Sequence, residues 1–169
     1  MSLDWNQIIA AGAGLAGVVI GGTLQWWFDR RRQGRDDKRA AEYLALRVSV
    51  ELERFAAACA LKLSDIANWR SSHGNLGSAN TQLPDSPIYP PELAWEVADH
   101  DLVRRALSLP HQLERPKAFI DFSTGAGGPP GGAPPYEAEE ELANCGLMAW
   151  ALAEAMLAHY KLPGLPNPP

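Results

Sequence analysis

Apolar and polar positions change rhythm along this chain, and each change predicts an element. The first rhythm is none at all: from Ile8 to Phe28 the residues are almost continuously apolar. Between Trp5 and Trp27 only Asn6, Gln7, Thr23 and Gln25 are polar, and none is charged. A bilayer core of about 30 Å needs roughly 20 apolar residues in a helix, so the run predicts a membrane span. From about Asp36 to Arg70 the rhythm becomes that of an amphipathic helix. Leu44, Val48, Leu52, Phe55, Cys59, Leu63, Ile66 and Trp69 recur at steps of three and four, opposite Glu42, Arg47, Glu51, Arg54, Lys62 and Asp65.

Ser71 to Pro91, with two glycines and four prolines, breaks that period and predicts a loop. A second helical region follows, opened by Pro90-Pro91. Asp99 is placed to cap a helix carrying Leu102, Val103, Ala106, Leu107 and Leu109. Pro110 and Pro116 are expected to kink or break it. Residues 123–135, STGAGGPPGGAPP, predict a flexible connector. A last helix is expected from about Tyr136 to Lys161, with Leu142, Cys145, Met148, Ala149, Leu152, Met156 and Tyr160 as its stripe. Asn144, Glu154 and His159 interrupt its apolar surface, which makes it a core helix rather than a second span. Trp69, Trp95 and Trp150, one in each helical region, read as core anchors.

The expected fold is therefore all-α: an N-terminal tail and transmembrane helix over 1–29, then a small antiparallel bundle of three to four helices. A basic juxtamembrane segment occupies 30–39. The helical domain runs over 36–161, with loops at 71–91 and 123–135, and 162–169 is a disordered Pro-rich tail.

Charge orients the span. Asp4 is the only charge before it, whereas Arg30, Arg31, Arg32, Arg35, Lys38 and Arg39 follow it. Basic residues are retained on the cytoplasmic side, so the N-terminus is expected outside and everything after Asp29 inside. With no basic n-region, and with Leu24-Gln25-Trp26-Trp27-Phe28 where a small-residue cleavage site would lie, the segment is expected to stay attached. Trp5 and the pair Trp26-Trp27 lie roughly 33 Å apart on a helix, the separation of two headgroup belts. With Arg30, Arg31 and Arg32 they make the expected membrane interface, where membrane lipid is the first partner. Ala10, Ala13, Gly14, Gly17 and Gly21 fall on one stripe of the span. Small residues let helix backbones approach closely in lipid, so the stripe offers packing to a second copy or to another membrane protein.

The net charge of −5 hides an asymmetry. Arg30 to Arg70 holds ten basic and six acidic side chains, and the chain from Ser71 holds twelve acidic and five basic. An acidic distal half without a basic, aromatic-studded face excludes a nucleic-acid partner. Cys59 and Cys145 lie within apolar helical patterns and are expected to be buried, reduced and inert inside the cell. Outside it they could pair. The strongest catalytic or metal candidate is Asp99-His100-Asp101 with His111 and Glu114. Consecutive residues fan out around a helix, however, and Asp99 is better used as a cap. Residues 125–132 lack the lysine that grips phosphate, and Ser72-His73 has no carboxylate orienter. No catalytic residue, metal or cofactor is expected.

Ala106-Leu107-Ser108-Leu109-Pro110 and Cys145-Gly146-Leu147-Met148-Ala149-Trp150, with the span, the arginine cluster and the long helix, resemble small single-pass bacterial proteins that lack an assigned function. The resemblance implies a single-pass bacterial membrane protein and imports no activity. The expectation is a membrane-anchored, non-enzymatic adaptor, scaffold or regulatory subunit. The alternatives are an envelope or lysis-related factor of prophage type with an external domain, and a membrane-bound hydrolase or metal enzyme centred on His100 and His111.

Overall fold

The structure, a computed structural model, describes residues 5–125 and 135–164, with side chains at 27, 30–123 and 135–164. It contains three α-helices, α1 (Trp5–Ser71), α2 (His100–Gly125) and α3 (Tyr136–His159), and one 3-10 turn, Trp95–Val97. Among the described residues there is no strand. The chain divides into two units, Met1–Arg39 and Ala40–Pro169, and α1 contributes to both.

No helix among the described residues is long and apolar enough to cross a membrane. Apart from Trp27, the side chains of the run from Ile8 to Phe28 lie outside the described residues. Trp5, Trp26, Ala10, Ala13, Gly14, Gly17 and Gly21 lie outside them for the same reason. In the first unit, side chains 30–39 are all exposed.

The second unit is built on α3. Ten of its residues are buried, on two adjoining stripes that include Leu142, Cys145, Ala149 and Met156 on one and Gly146, Trp150, Ala153 and Leu157 on the other. A helix buried on two sides is flanked by two partners, which explains why its sequence is apolar enough to raise the question of a span. Those partners are α1 and α2. Arg70 meets Glu139, and Cys59 lies against Gly146, so α1 and α3 run antiparallel. The backbone N–H of Asp99 donates to the Tyr160 hydroxyl at 2.9 Å, which puts the start of α2 beside the end of α3. Helices α1 and α2 therefore run in the same direction, whereas the expected bundle was antiparallel throughout.

That direction requires a long return. Residues 72–99 travel from the end of α1 back along its flank as a packed strap. The Ser78 N–H donates to the Asp65 carbonyl, and further along residues 84–88 line a groove with Glu51, Arg54, Phe55 and Ala58. Thr81, Leu83, Pro87 and Leu93 are buried along it. Four prolines hold such a segment extended and remove donors that an extended chain leaves unpaired.

The core joins Leu44, Val48, Leu52, Phe55, Cys59 and Ile66 of α1 to Leu102, Ala106, Leu109, Leu113 and Ile120 of α2 and the two stripes of α3. Leu63 is packed against this core and only partly buried. Pro110 and Pro116 do not break α2, which continues through both. Half-buried Pro116 continues the line of the buried stripe 102, 106, 109, 113 and 120, and core contacts on both sides of each proline hold the helix in place of the lost hydrogen bonds.

Helices α1 and α3 end in Schellman motifs. At α1, Gly74 N–H donates to Trp69 C=O at 2.8 Å and His73 N–H to Arg70 C=O at 3.3 Å. At α3, Leu162 N–H donates to Leu157 C=O and Lys161 N–H to Ala158 C=O. His73 and Lys161 supply the left-handed residues, at φ 54° and 56°. Leu162, expected in a frayed tail, packs against the core, and 165–169 lie outside the described residues.

Candidate functional site

Three regions offer chemistry: the basic stretch after Phe28, the carboxylates and histidines of α2, and the faces of the bundle. In the first, the Arg31 guanidinium lies over the Trp27 ring, 4.2 Å from its centroid. The Arg35 Nε donates to the Arg31 carbonyl at 3.4 Å. Trp27 is 45% exposed although partly covered by Arg31. Arg30, Arg31, Arg32, Arg35, Lys38 and Arg39 are all exposed, with Asp36 and Asp37 on the same stretch of helix. The ring is held under a guanidinium in a cation–π stack beside a net positive surface.

The α2 constellation does not converge. Asp99 caps the helix, its Oδ1 accepting from the N–H groups of Asp101 and Leu102, each at 3.1 Å. Those bonds, led by that from Leu102, hold its carboxyl below the usual range. Asp101 pairs with Arg104 at 2.6 Å, three residues on along the exposed face of the helix. His111 Nδ1 lies 3.2 Å from Glu114 Oε2, and both side chains are exposed. His100 and His111, eleven residues apart on one helix, are separated by roughly 16 Å along its axis. Among the described residues no group of three or more His, Cys, Asp or Glu is placed to hold a metal ion.

The two cysteines are buried free thiols on facing helices. Burial first, then the neighbouring Cys145, pushes the Cys59 thiol up to about 12, with Lys62 opposing. Burial and then Glu141 push Cys145 up to about 11. Thiols held protonated in this way are poor nucleophiles.

One feature escaped the sequence. The Arg70 guanidinium grips Glu139 with both nitrogens, Nη1 to Oε2 at 3.1 Å and Nη2 to Oε1, and stacks over the Tyr136 ring at 4.2 Å. The carboxylate bond raises the Arg70 pKa above its ordinary value. Glu139 reads in sequence as one of several first-turn acids, and a partner 69 residues away leaves no local signal. The clamp joins the end of α1 to the start of α3, a structural role.

Among the described residues, two of the grooves on the bundle bear on chemistry. One, of about 210 Å³, lies between α1 and α3, lined by Ala56, Cys59, Ala60, Leu63, Gly146 and Trp150 among others. Small residues Ala56, Ala60, Ala143 and Gly146 line it, and α1 and α3 approach closely beside it: a Cβ on Gly146 would stand 3.0 Å from Cys59 Cβ. The other, of about 300 Å³, lies between α1 and the strap, beside Glu51, Arg54, Phe55, Asp85 and Ser86. Neither brings together a nucleophile, a base and an orienting group.

Compared with known proteins, the chain matches no family model, no curated protein and no solved structure. The described residues present an exposed basic stretch bearing Trp27 and a helical bundle, and among them no group of side chains is placed to hold a metal ion.

Proposed function

We propose that this is a single-pass protein of the bacterial inner membrane, with its N-terminus outside and its helical domain in the cytoplasm. There it acts as an adaptor, scaffold or regulatory subunit without an active centre of its own. The observation that carries the reading is the charge-free run from Ile8 to Phe28 with Arg30-Arg31-Arg32 directly behind it. Arg31 stacked on Trp27 supports it, since a belt tryptophan braced by a guanidinium suits the headgroup layer. Membrane lipid is then the first partner, and the stripe Ala10, Ala13, Gly14, Gly17 and Gly21 offers close packing to a second span. The histidines of α2 lend no support to catalysis, because they sit apart and each is engaged locally or exposed.

Paired C-terminal fusions test the reading, one reporter active only in the cytoplasm and one only outside it. Membrane-fraction signal from the cytoplasmic reporter alone is the expected result. Signal from the external reporter would favour an envelope or lysis-related factor, and reporter in the soluble fraction would remove the anchor.

A further inference from the structure

The outer face of α1 in the second unit carries an apolar stripe that nothing in the bundle covers. Its core face is filled by Leu44, Val48, Leu52 and Phe55. On the opposite side Tyr43, Leu46, Val50 and Leu61 are 58%, 43%, 51% and 68% exposed. With Ala57 these residues fall within a narrow sector at 100° per residue, and the steps from Tyr43 to Leu46, Val50 and Ala57 are those of a coiled-coil seam.

The edges of the stripe differ in sign. Glu42 lies along one edge, Arg47 and Arg54 along the other. Arg54 also lies 3.7 Å from Glu51 of its own helix, an exposed pair that leaves most of its side chain open to solvent. In a parallel pair of identical helices each acidic edge meets the partner's basic edge. In an antiparallel pair, acidic meets acidic and basic meets basic. Glu42 and Arg47 are five residues apart, the separation that faces across a parallel seam. Glu53 takes a seam position itself, which weakens the hydrophobic contact there and places its carboxylate beside the partner's Arg54.

We propose that this face of α1 pairs with the same face of a second copy of the chain, helices parallel, with Tyr43, Leu46 and Val50 in the seam and Glu42 opposite Arg47. The pairing goes beyond the membrane reading and does not require it, since residues 40–61 carry all of its parts.

The test uses the full chain in mild detergent, with mass measured by light scattering over a concentration series. The wild type forms a dimer, and L46E/V50E is a monomer with unchanged helical circular dichroism. R47E/R54E, which makes both edges acidic, weakens dimerisation roughly tenfold or more. E42R/E53R/R47E/R54E, with the signs exchanged, restores it. Because equal residues meet in a parallel pair, V50C cross-links to itself under mild oxidation while the wild type, whose cysteines are buried, does not. A wild type that stays monomeric throughout overturns the proposal. So does a dimer that survives L46E/V50E but dissociates on Gly17→Leu and Gly21→Leu. The reporter fusions read a different property, so either proposal can fail alone.

Discussion

A single missing side chain closes the end of the first bundle helix. At Gly77 the backbone has φ +78°, and a Cβ there would stand 2.2 Å from the Asp65 carbonyl oxygen and 2.9 Å from the Trp69 nitrogen. Gly34 lies inside a helix with nothing within 4 Å of the same position. Gly77→Ala is therefore expected to cost about 2 kcal/mol or more, through strain and collision with backbone that cannot yield. Gly34→Ala is expected to be neutral or to stabilise by up to about 1 kcal/mol, because alanine is the better helix former. Urea unfolding followed by circular dichroism compares the two. Equal midpoint shifts would mean that the strap does not leave α1 as described. At this scale the sequence is legible where chemistry is local: Asp99 caps the helix its position announces. It is silent where a pair is distant, as with Arg70 and Glu139.

Among the elements, α2 carries the largest departure from expectation. An interior proline removes one hydrogen bond and crowds the preceding turn, at a cost of about 3 kcal/mol. Local rules therefore stop a helix where Leu109, Leu113 and Ile120 keep it going by burial against the rest of the core. Pro110→Ala restores a donor to the Ala106 carbonyl on a backbone that is already helical. It is expected to raise stability by about 1–2 kcal/mol, after allowing up to about 1 for the proline's restriction of the unfolded chain. A lower thermal midpoint in P110A would show that helix geometry is not maintained there. The strap is the other element that period could not reveal. Its buried residues Thr81, Leu83 and Pro87 keep the even spacing of an extended chain, but exposed Asp85 interrupts it and only Leu83 is a large apolar residue, so the packed segment reads as an ordinary loop.

For the molecule as a whole, the interface of α1 with α3 and the strap holds three weak acids out of water. Burial raises Cys59 from 9.0 to about 12 and Cys145 from 9.0 to about 11. Burial and Glu51 raise Tyr89 from 10.0 to about 12. Below about pH 9 all three are protonated folded and unfolded, and they leave stability independent of pH. As pH rises through 9 the unfolded chain releases thiol protons that the folded chain keeps. Stability then falls progressively until the folded groups ionise near 11 to 12. By pH 10 the loss is on the order of 1 kcal/mol per thiol. Urea midpoints at pH 8, 9 and 10 should fall steadily for the wild type. They should fall less for C59A/C145A, whose remaining slope belongs to Tyr89; an equal slope in both would show that the thiols are not buried on folding.

The sequence by itself determined the all-helical class, the core face of α1 from Leu44 to Ile66, the cap at Asp99 and the core character of α3. Each rests on local periodicity or on one turn of backbone, which a helix expresses within a few residues. It also carries, in the run from Ile8 to Phe28 and the arginines behind it, the argument for a membrane. Tertiary structure alone decided that α1 and α2 run the same way, that 72–99 is a packed return and that α2 survives two prolines. It alone left Tyr43, Leu46 and Val50 outside the bundle. Those outcomes depend on which helix sits between which others, and burial shared among residues distant in sequence leaves no periodic trace in any one segment.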